Sequence, residues 1–164
     1  EQGLLARVIV DRARRLKRLP LADAKEKSGI MAKKGGLTRP TQGRVRVGFG
    51  EQEHMQLGTQ TRSNGWTISA PLGAPVRTVY DGKVVYSGWY TGFGNLIIVN
   101  HGGKHHSLYA HLSAISRARG ETVRQGDVLG EVGDTGSLRG AQLYFELRMN
   151  RRPVDPNLWI RKTR

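Results

Sequence analysis

The run Gln142-Leu143-Tyr144-Phe145-Glu146-Leu147-Arg148 places an apolar residue at every second position. Period two is the repeat of an extended strand, in which successive side chains leave opposite faces. A helix would scatter Leu143, Phe145 and Leu147 around its circumference, whereas a strand gathers them on one face for a core. Gln142, Tyr144, Glu146 and Arg148 then share the other face and line whatever the sheet presents to a partner.

The same pattern of short strands and turns starts at Arg44. Val45 and Val47 alternate with Arg44 and Arg46, and Leu96-Ile97-Ile98-Val99 is wholly apolar, as suits a buried strand. Val76 to Tyr80 leads through Asp81-Gly82 into Lys83 to Tyr86, which predicts a hairpin, and Ser107 to Leu112 alternates in character. With 22 glycines punctuating these runs, a mainly β architecture is favoured over a helical bundle. A compact part of about 120 residues is large enough to bury its own core.

The amino-terminal segment reads differently. Leu5, Ile9, Ala13 and Leu16 recur at helical spacing among Arg7, Arg12, Arg14, Arg15 and Lys17, predicting a basic amphipathic helix that ends before Pro20. It suits the end of a longer coiled-coil region. A second short helix is expected between Asp23, as N-cap, and Gly35-Gly36, as stop, with Ile30 and Met31 as its small apolar face. Gly29 weakens it by about 1 kcal/mol relative to Ala, so it should dock on something. The expected organisation is a basic helical appendage, residues 1–36, followed by a β domain, residues 37–164. Glu1 reads as the start of an excised fragment, whose export signal would have been lost with the preceding sequence.

A formal charge of +14 implies an anionic partner: nucleic acid, an acidic lipid surface, an anionic wall polymer or an acidic protein. Charge does not choose among these, but the basic helix carries no base-stacking aromatic, which argues against nucleic acid. Without cysteine there is neither a disulfide framework nor a thiolate metal site, and no apolar run approaches the roughly 20 residues of a membrane span.

Gly65-Trp66-Thr67-Ile68-Ser69-Ala70-Pro71-Leu72-Gly73, Asp81-Gly82, Gly92-Phe93-Gly94-Asn95, Leu108-Tyr109-Ala110-His111-Leu112, Gly133-Asp134-Thr135-Gly136 and Pro153-Val154-Asp155-Pro156 follow one another in an order and spacing that carry a resemblance. From about Arg39 to Ile160 the chain is similar to the LytM (lysostaphin-like, M23) peptidase domain. The resemblance implies an antiparallel β-sheet core of the duplicated hybrid motif type. Active members of that family hold one zinc ion through His and Asp of a His-x-x-x-Asp segment and the second His of a His-x-His pair. The first His of the pair and a further His in a Tyr-Ala-His segment assist the chemistry. Three protein ligands leave an open position where zinc makes bound water nucleophilic.

Carried onto this sequence, the ligand positions are Ser63, Thr67 and Tyr144, and the assisting positions are Gln142 and His111. Neutral hydroxyls are poor zinc ligands beside imidazole or carboxylate, and an amide does not titrate usefully. Only His111 survives. His105 and His106 are adjacent and would point to opposite faces of a strand, His101 occupies a turn after the apolar strand, and His54 is expected in a loop, so a rebuilt metal site is not expected. The expectation is therefore no enzyme, no metal and no cofactor.

Within the family, the runs 85–89, 143–148 and 153–159 are similar to the catalytically degenerate EnvC-type murein hydrolase activators. That branch implies a periplasmic protein of a Gram-negative bacterium that binds a cell-wall amidase through the degenerate groove and activates it in septal wall splitting. It also implies that the upstream coiled coil meets a membrane division complex. On this reading Tyr144, Phe93, Tyr109 and Leu96 form the groove floor, Arg62 and Arg148 supply rim charges, and Asn64 lies at the mouth. Residues 23–34, anchored by Ile30 and Met31, are the candidate for a restraining helix that occupies the groove. Two alternatives stay open: a peptidoglycan-binding module, and an active zinc endopeptidase of the cell wall.

Overall fold

The computed structural model describes residues 29–54, 60–137 and 139–162. The expected basic helix between Leu5 and Leu16, and residues 23–28 of the second one, lie outside them. What is described is mainly antiparallel β-sheet. The strands are β1 (Arg44–Val47), β2 (Gln52–His54), β3 (Gln60–Arg62), β4 (Trp66–Ser69), β5 (Pro75–Arg77), β6 (Gly82–Tyr90), β7 (Gly94–Asn100), β8 (His106–Ile115), β9 (Thr122–Val123), β10 (Val128–Val132), β11 (Gln142–Met149) and β12 (Arg152–Val154).

Ten strands form one sheet in the order β1-β4-β11-β8-β7-β6-β9, with β10 joining β5 to β8 and β12 pairing with β11, while β2 and β3 form a separate hairpin. His54 thus ends a strand and does not sit in a loop. The opening alternation does make a strand, and β11 lies between β4 and β8. Its register sets Tyr144 beside Thr67 and Ala110, and Phe145 beside Trp66 and Tyr109.

The two faces of this sheet bury two apolar clusters. Leu143, Phe145 and Leu147 join Ile68, Ile97 and Tyr109 in the larger one. Phe93, Leu96, Ile98, Leu108 and Ala110 form the smaller, against which Tyr86, Tyr90 and Tyr144 pack half-buried. The wholly apolar run Leu96 to Val99 serves both faces, as a strand covered on both sides must.

Asp81-Gly82 makes a turn but no hairpin: β5 pairs with β10, and β6 pairs with β7 and β9. The backbone between them is committed elsewhere. Thr78 N–H donates to Asp127 O (2.9 Å), Val79 N–H to Tyr109 Oη (3.0 Å), and the Asp81 carboxylate accepts from Gln125 N–H (2.7 Å).

The boundary at residue 36 also moves. Within the described residues the second helix is a single 3-10 turn, Ile30–Lys33. Ile30 is buried in the larger cluster with Leu37, Trp159 and Ile160, and Gly35 and Leu37 N–H both donate to Trp159 O. The segment from Ile30 onward is therefore part of the β domain, sewn to its carboxy-terminal end.

Candidate functional site

Tyr144 stands on the smaller-cluster face of β11 with Phe93 6.3 Å away between ring centroids. The rings continue through Tyr90 (6.2 Å from Phe93) to Tyr86 (5.8 Å from Tyr90), so the face carries a row of four aromatic rings. Offset and tilted contacts at these distances are favourable for aromatic pairs. Beyond the row, Trp89 is exposed, and the Tyr86 hydroxyl donates to its carbonyl at 2.6 Å.

Polar groups surround the Tyr144 ring. Its hydroxyl donates to Glu146 Oε2 at 2.6 Å, and Arg148 Nε donates to Glu146 Oε1 at 2.8 Å. Glu146 and Arg148 are both buried, so this is a desolvated ion pair capped by a phenol. At the other end of the face Arg46 Nη2 donates to Gln142 Oε1. Thr67, the Cα partner of Tyr144, is buried, as is Ser63, whose Oγ donates to Gly65 O (2.8 Å) and lies 3.3 Å from Gly65 N.

His111 has φ 67°, uncommon for a residue with a Cβ. It marks a bulge in β8: residues 109 to 112 oppose residues 95 to 97 of β7, so Leu112 returns to the larger cluster while Ala110 belongs to the smaller. His111 N–H donates to Phe93 O (2.8 Å), and Nδ1 lies 2.7 Å from Thr135 O. A carbonyl only accepts, so Nδ1 carries the proton and the ring is held as that tautomer. The loop from Thr135 comes this close because Gly94, at φ 65°, has no Cβ; one added there would lie 2.1 Å from Thr135 O.

Several expected site residues are thus brought together: Tyr144, Phe93 and Gln142 share one face, with Thr67 directly beside them, and Leu96 packs fully buried beneath the rings. Asn64 is half-buried two residues before the start of β4, and Arg62 is exposed at the end of β3. Three residues are placed otherwise. Tyr109 pairs with Phe145 and points with it into the larger cluster, fully buried, so it forms no part of the groove floor. Arg148 is no rim charge, because it is buried against Glu146. Ile30 is committed to the larger cluster and cannot anchor a helix over Tyr144, while Met31 is exposed. Sequence reasoning overlooked Arg46, Tyr86, Tyr90 and Thr135. The aromatic spacing in Tyr86 to Tyr90 was a signal for two of them.

The buried histidines form a separate system. His101 Nδ1 lies 2.7 Å from Asp81 O and Nε2 2.7 Å from Ser107 Oγ, which in turn meets Tyr109 Oη at 2.7 Å. Burial pulls the His101 pKa down to about 4, with the Asp81 carbonyl acting against it, and burial pushes the Tyr109 phenol up to about 12. Because the Asp81 carbonyl must accept, the relay runs one way: Tyr109 donates to Ser107 and Ser107 to a neutral His101.

The donor set does not suit zinc. Ser63 Oγ and the Tyr144 hydroxyl donate to protein acceptors, Gln142 Oε1 accepts from a guanidinium, and among the described residues no three His, Asp or Glu side chains converge on one point. Only His111 offers the imidazole chemistry such a site requires.

Comparison with known proteins agrees with the architecture. The pattern of peptidase family M23 matches residues 61–156. The chain is 38% identical over 133 residues to the DD-carboxypeptidase/endopeptidase Mpg of Neisseria meningitidis, covering 80% of this chain and 31% of that protein. It is 32% identical over 132 residues to the murein hydrolase activator EnvC of Escherichia coli, covering 80% and 30%. The chain therefore spans about a third of the length of these curated relatives. Among solved structures, a zinc-containing peptidase from Vibrio cholerae superposes with a TM-score of 0.67 at 30% identity, covering 74% of this chain and 39% of that one.

Proposed function

We propose that this chain, which belongs to peptidase family M23, acts by binding and not by hydrolysis, on the reading that Ser63, Thr67 and Tyr144 stand at the family's zinc-ligand positions. Its partner on this reading is a peptidoglycan (N-acetylmuramoyl-L-alanine) amidase, activated in the cell envelope of a Gram-negative bacterium during septal wall splitting. The likeness to EnvC, a murein hydrolase activator, supports the direction of this reading; the likeness to Mpg supports the wall context but pulls towards hydrolysis.

One observation carries the choice. At two of the expected ligand positions, Ser63 and Tyr144, the hydroxyl donates to a protein acceptor, and the face there is aromatic: half-buried Tyr144, Tyr90 and Tyr86 around the buried Phe93. Rigid rings contribute large contact area at low entropic cost, which suits a protein interface. A helix laid on the row would contact it every three or four residues, and the exposed Arg46 and Arg62 favour an acidic one.

The decisive measurement titrates an amidase into the wild type and Tyr144→Ala, reading both affinity and wall hydrolysis. Binding should weaken about tenfold or more, with activation lost in parallel. Equal binding and activation by the two proteins overturns the groove assignment, and one tightly bound zinc per chain with amidase-independent wall cleavage restores the peptidase reading.

A further inference from the structure

The face that carries Tyr144 continues past the aromatic row. The pairs Tyr144 with Ala110, Glu146 with Leu108 and Arg148 with His106 keep one parity along β11 and β8. His106 and Arg148 therefore lie on the same face, about 13 Å along the strand from Tyr144. There the chain reverses into β12 through Asn150 and Arg151, both at positive φ (53° and 65°). Glycine suits the second of these positions, and arginine is strained there. The turn is nonetheless firmly held: Asn150 N–H donates to His105 Nδ1 (3.1 Å), and Arg151 N–H to Lys104 O (2.9 Å).

The strained residue sends its side chain inward. Arg151 Nε and Nη2 are buried and have no hydrogen-bond acceptor among the described residues, whereas the buried His106 ring has the Lys104 carbonyl near it. His106 Nε2 lies 3.2 Å from Asn100 Nδ2. An amide nitrogen only donates, so Nε2 accepts and the proton of the neutral ring sits on Nδ1. Burial is the main reason that ring stays neutral, with the Arg151 charge contributing and the Lys104 carbonyl acting against it. The Arg151 Nε–H and Nη2–H groups are thus buried donors in need of an acceptor, on a guanidinium that never loses its charge. Glu146, the acidic side chain on this part of the face, has both carboxylate oxygens engaged by Tyr144 and Arg148.

Nε–H and Nη2–H lie on one edge of the guanidinium, spaced to receive two oxygens of a single carboxylate or phosphate. We propose that this edge of Arg151, beside the buried His106 ring, is a binding site for an oxyanion at the far end of the Tyr144 face. Arg151 is half-buried between the exposed Asn150 and Arg152, so its guanidinium lies close to the surface. The site accounts for an arginine where the turn favours glycine: the backbone strain holds the donors in place.

The test is thermal unfolding of the full chain at pH 7 in sodium acetate, sodium phosphate or sodium chloride at equal ionic strength. Acetate or phosphate should raise the wild-type Tm by about 3 °C over chloride at saturating anion, and the larger rise identifies carboxylate or phosphate as the preferred chemistry. Arg151→Gly, which suits the positive φ and should fold, is expected to lose the rise. In parallel, the arginine Nε–H resonance missing from the Arg151→Gly spectrum should move as phosphate is titrated into the wild type. No rise in either anion, an equal rise in Arg151→Gly, or a stationary Arg151 resonance overturns the proposal.

Discussion

Phe145 and Tyr144 are consecutive residues of one strand, yet they belong to different kinds of surface. Phe145 is fully buried, 5.4 Å from the Tyr109 ring and 6.2 Å from Trp66, within a continuous aliphatic core. Its face holds few polar groups, and those form a directed relay from Tyr109 through Ser107 to His101. Tyr144 is half-buried against the buried Phe93 ring, with the half-buried Tyr90 and Tyr86 beyond it, and its hydroxyl meets an ion pair. The difference separates two jobs carried by a single alternating sequence. One face fixes the fold by packing, and the other matches the polar atoms around Tyr144 and, on the proposed reading, leaves its half-buried tyrosines for a partner.

The sharpest way to break this contrast is to truncate both residues. Phe145→Ala should cost about 4 kcal/mol in urea unfolding, since it opens a cavity in a closed core. Tyr144→Ala, which removes both the ring and the hydroxyl, should cost about 2–3 kcal/mol by the same measurement while carrying most of the loss in amidase binding. Equal destabilisation by the two would show that both faces are structural. The ion pair comes next. Glu146→Ala leaves Arg148 buried without its carboxylate and should cost about 3 kcal/mol, whereas Glu146→Leu with Arg148→Met should return close to the wild-type stability. A double variant as unstable as the single one would mean that the pair does more than match its own charges.

The relay on the packed face gives a pH signature. His101 in the folded chain is held near 4, below the 6.5 of an exposed histidine. The unfolded chain therefore binds this proton first as pH falls. Stability is complete above about pH 6.5, is lost progressively towards pH 4, and His101 alone accounts for roughly 3 kcal/mol of that loss. His106, lowered to about 3 chiefly by burial, adds in the same direction. Urea midpoints between pH 7 and 4 measure the slope, and His101→Gln should flatten it.

The two faces of β11 were legible because alternation of Leu143, Phe145 and Leu147 needs no knowledge of neighbours. Tyr109 was not: alternation within a strand says which residues share a face, but only the register against Phe145 says which face that is. The bulge at His111 then changes the parity between Ala110 and Leu112, and nothing in a histidine announces a positive φ. The buried state of Arg148 was within reach, since Glu146 two residues earlier must lie on its side of the strand. The Asp81-Gly82 turn was correctly placed but misjoined, because the long-range hydrogen bonds of Thr78 and Val79 to residues 127 and 109 decide where the chain goes next.

The smallest expected effect divides Tyr144 itself. Tyr144→Phe keeps the ring against Phe93 but removes the hydroxyl from Glu146 Oε2, a buried carboxylate oxygen. The loss of one hydrogen bond to a charged acceptor should cost about 1–2 kcal/mol, offset in part because Arg148 still satisfies the other oxygen. If the aromatic row is what a partner reads, amidase affinity should change less than twofold. If affinity falls as far as in Tyr144→Ala, recognition runs through the hydroxyl and the carboxylate behind it. The two faces would then differ less than their packing suggests, because a directed hydrogen bond would govern each.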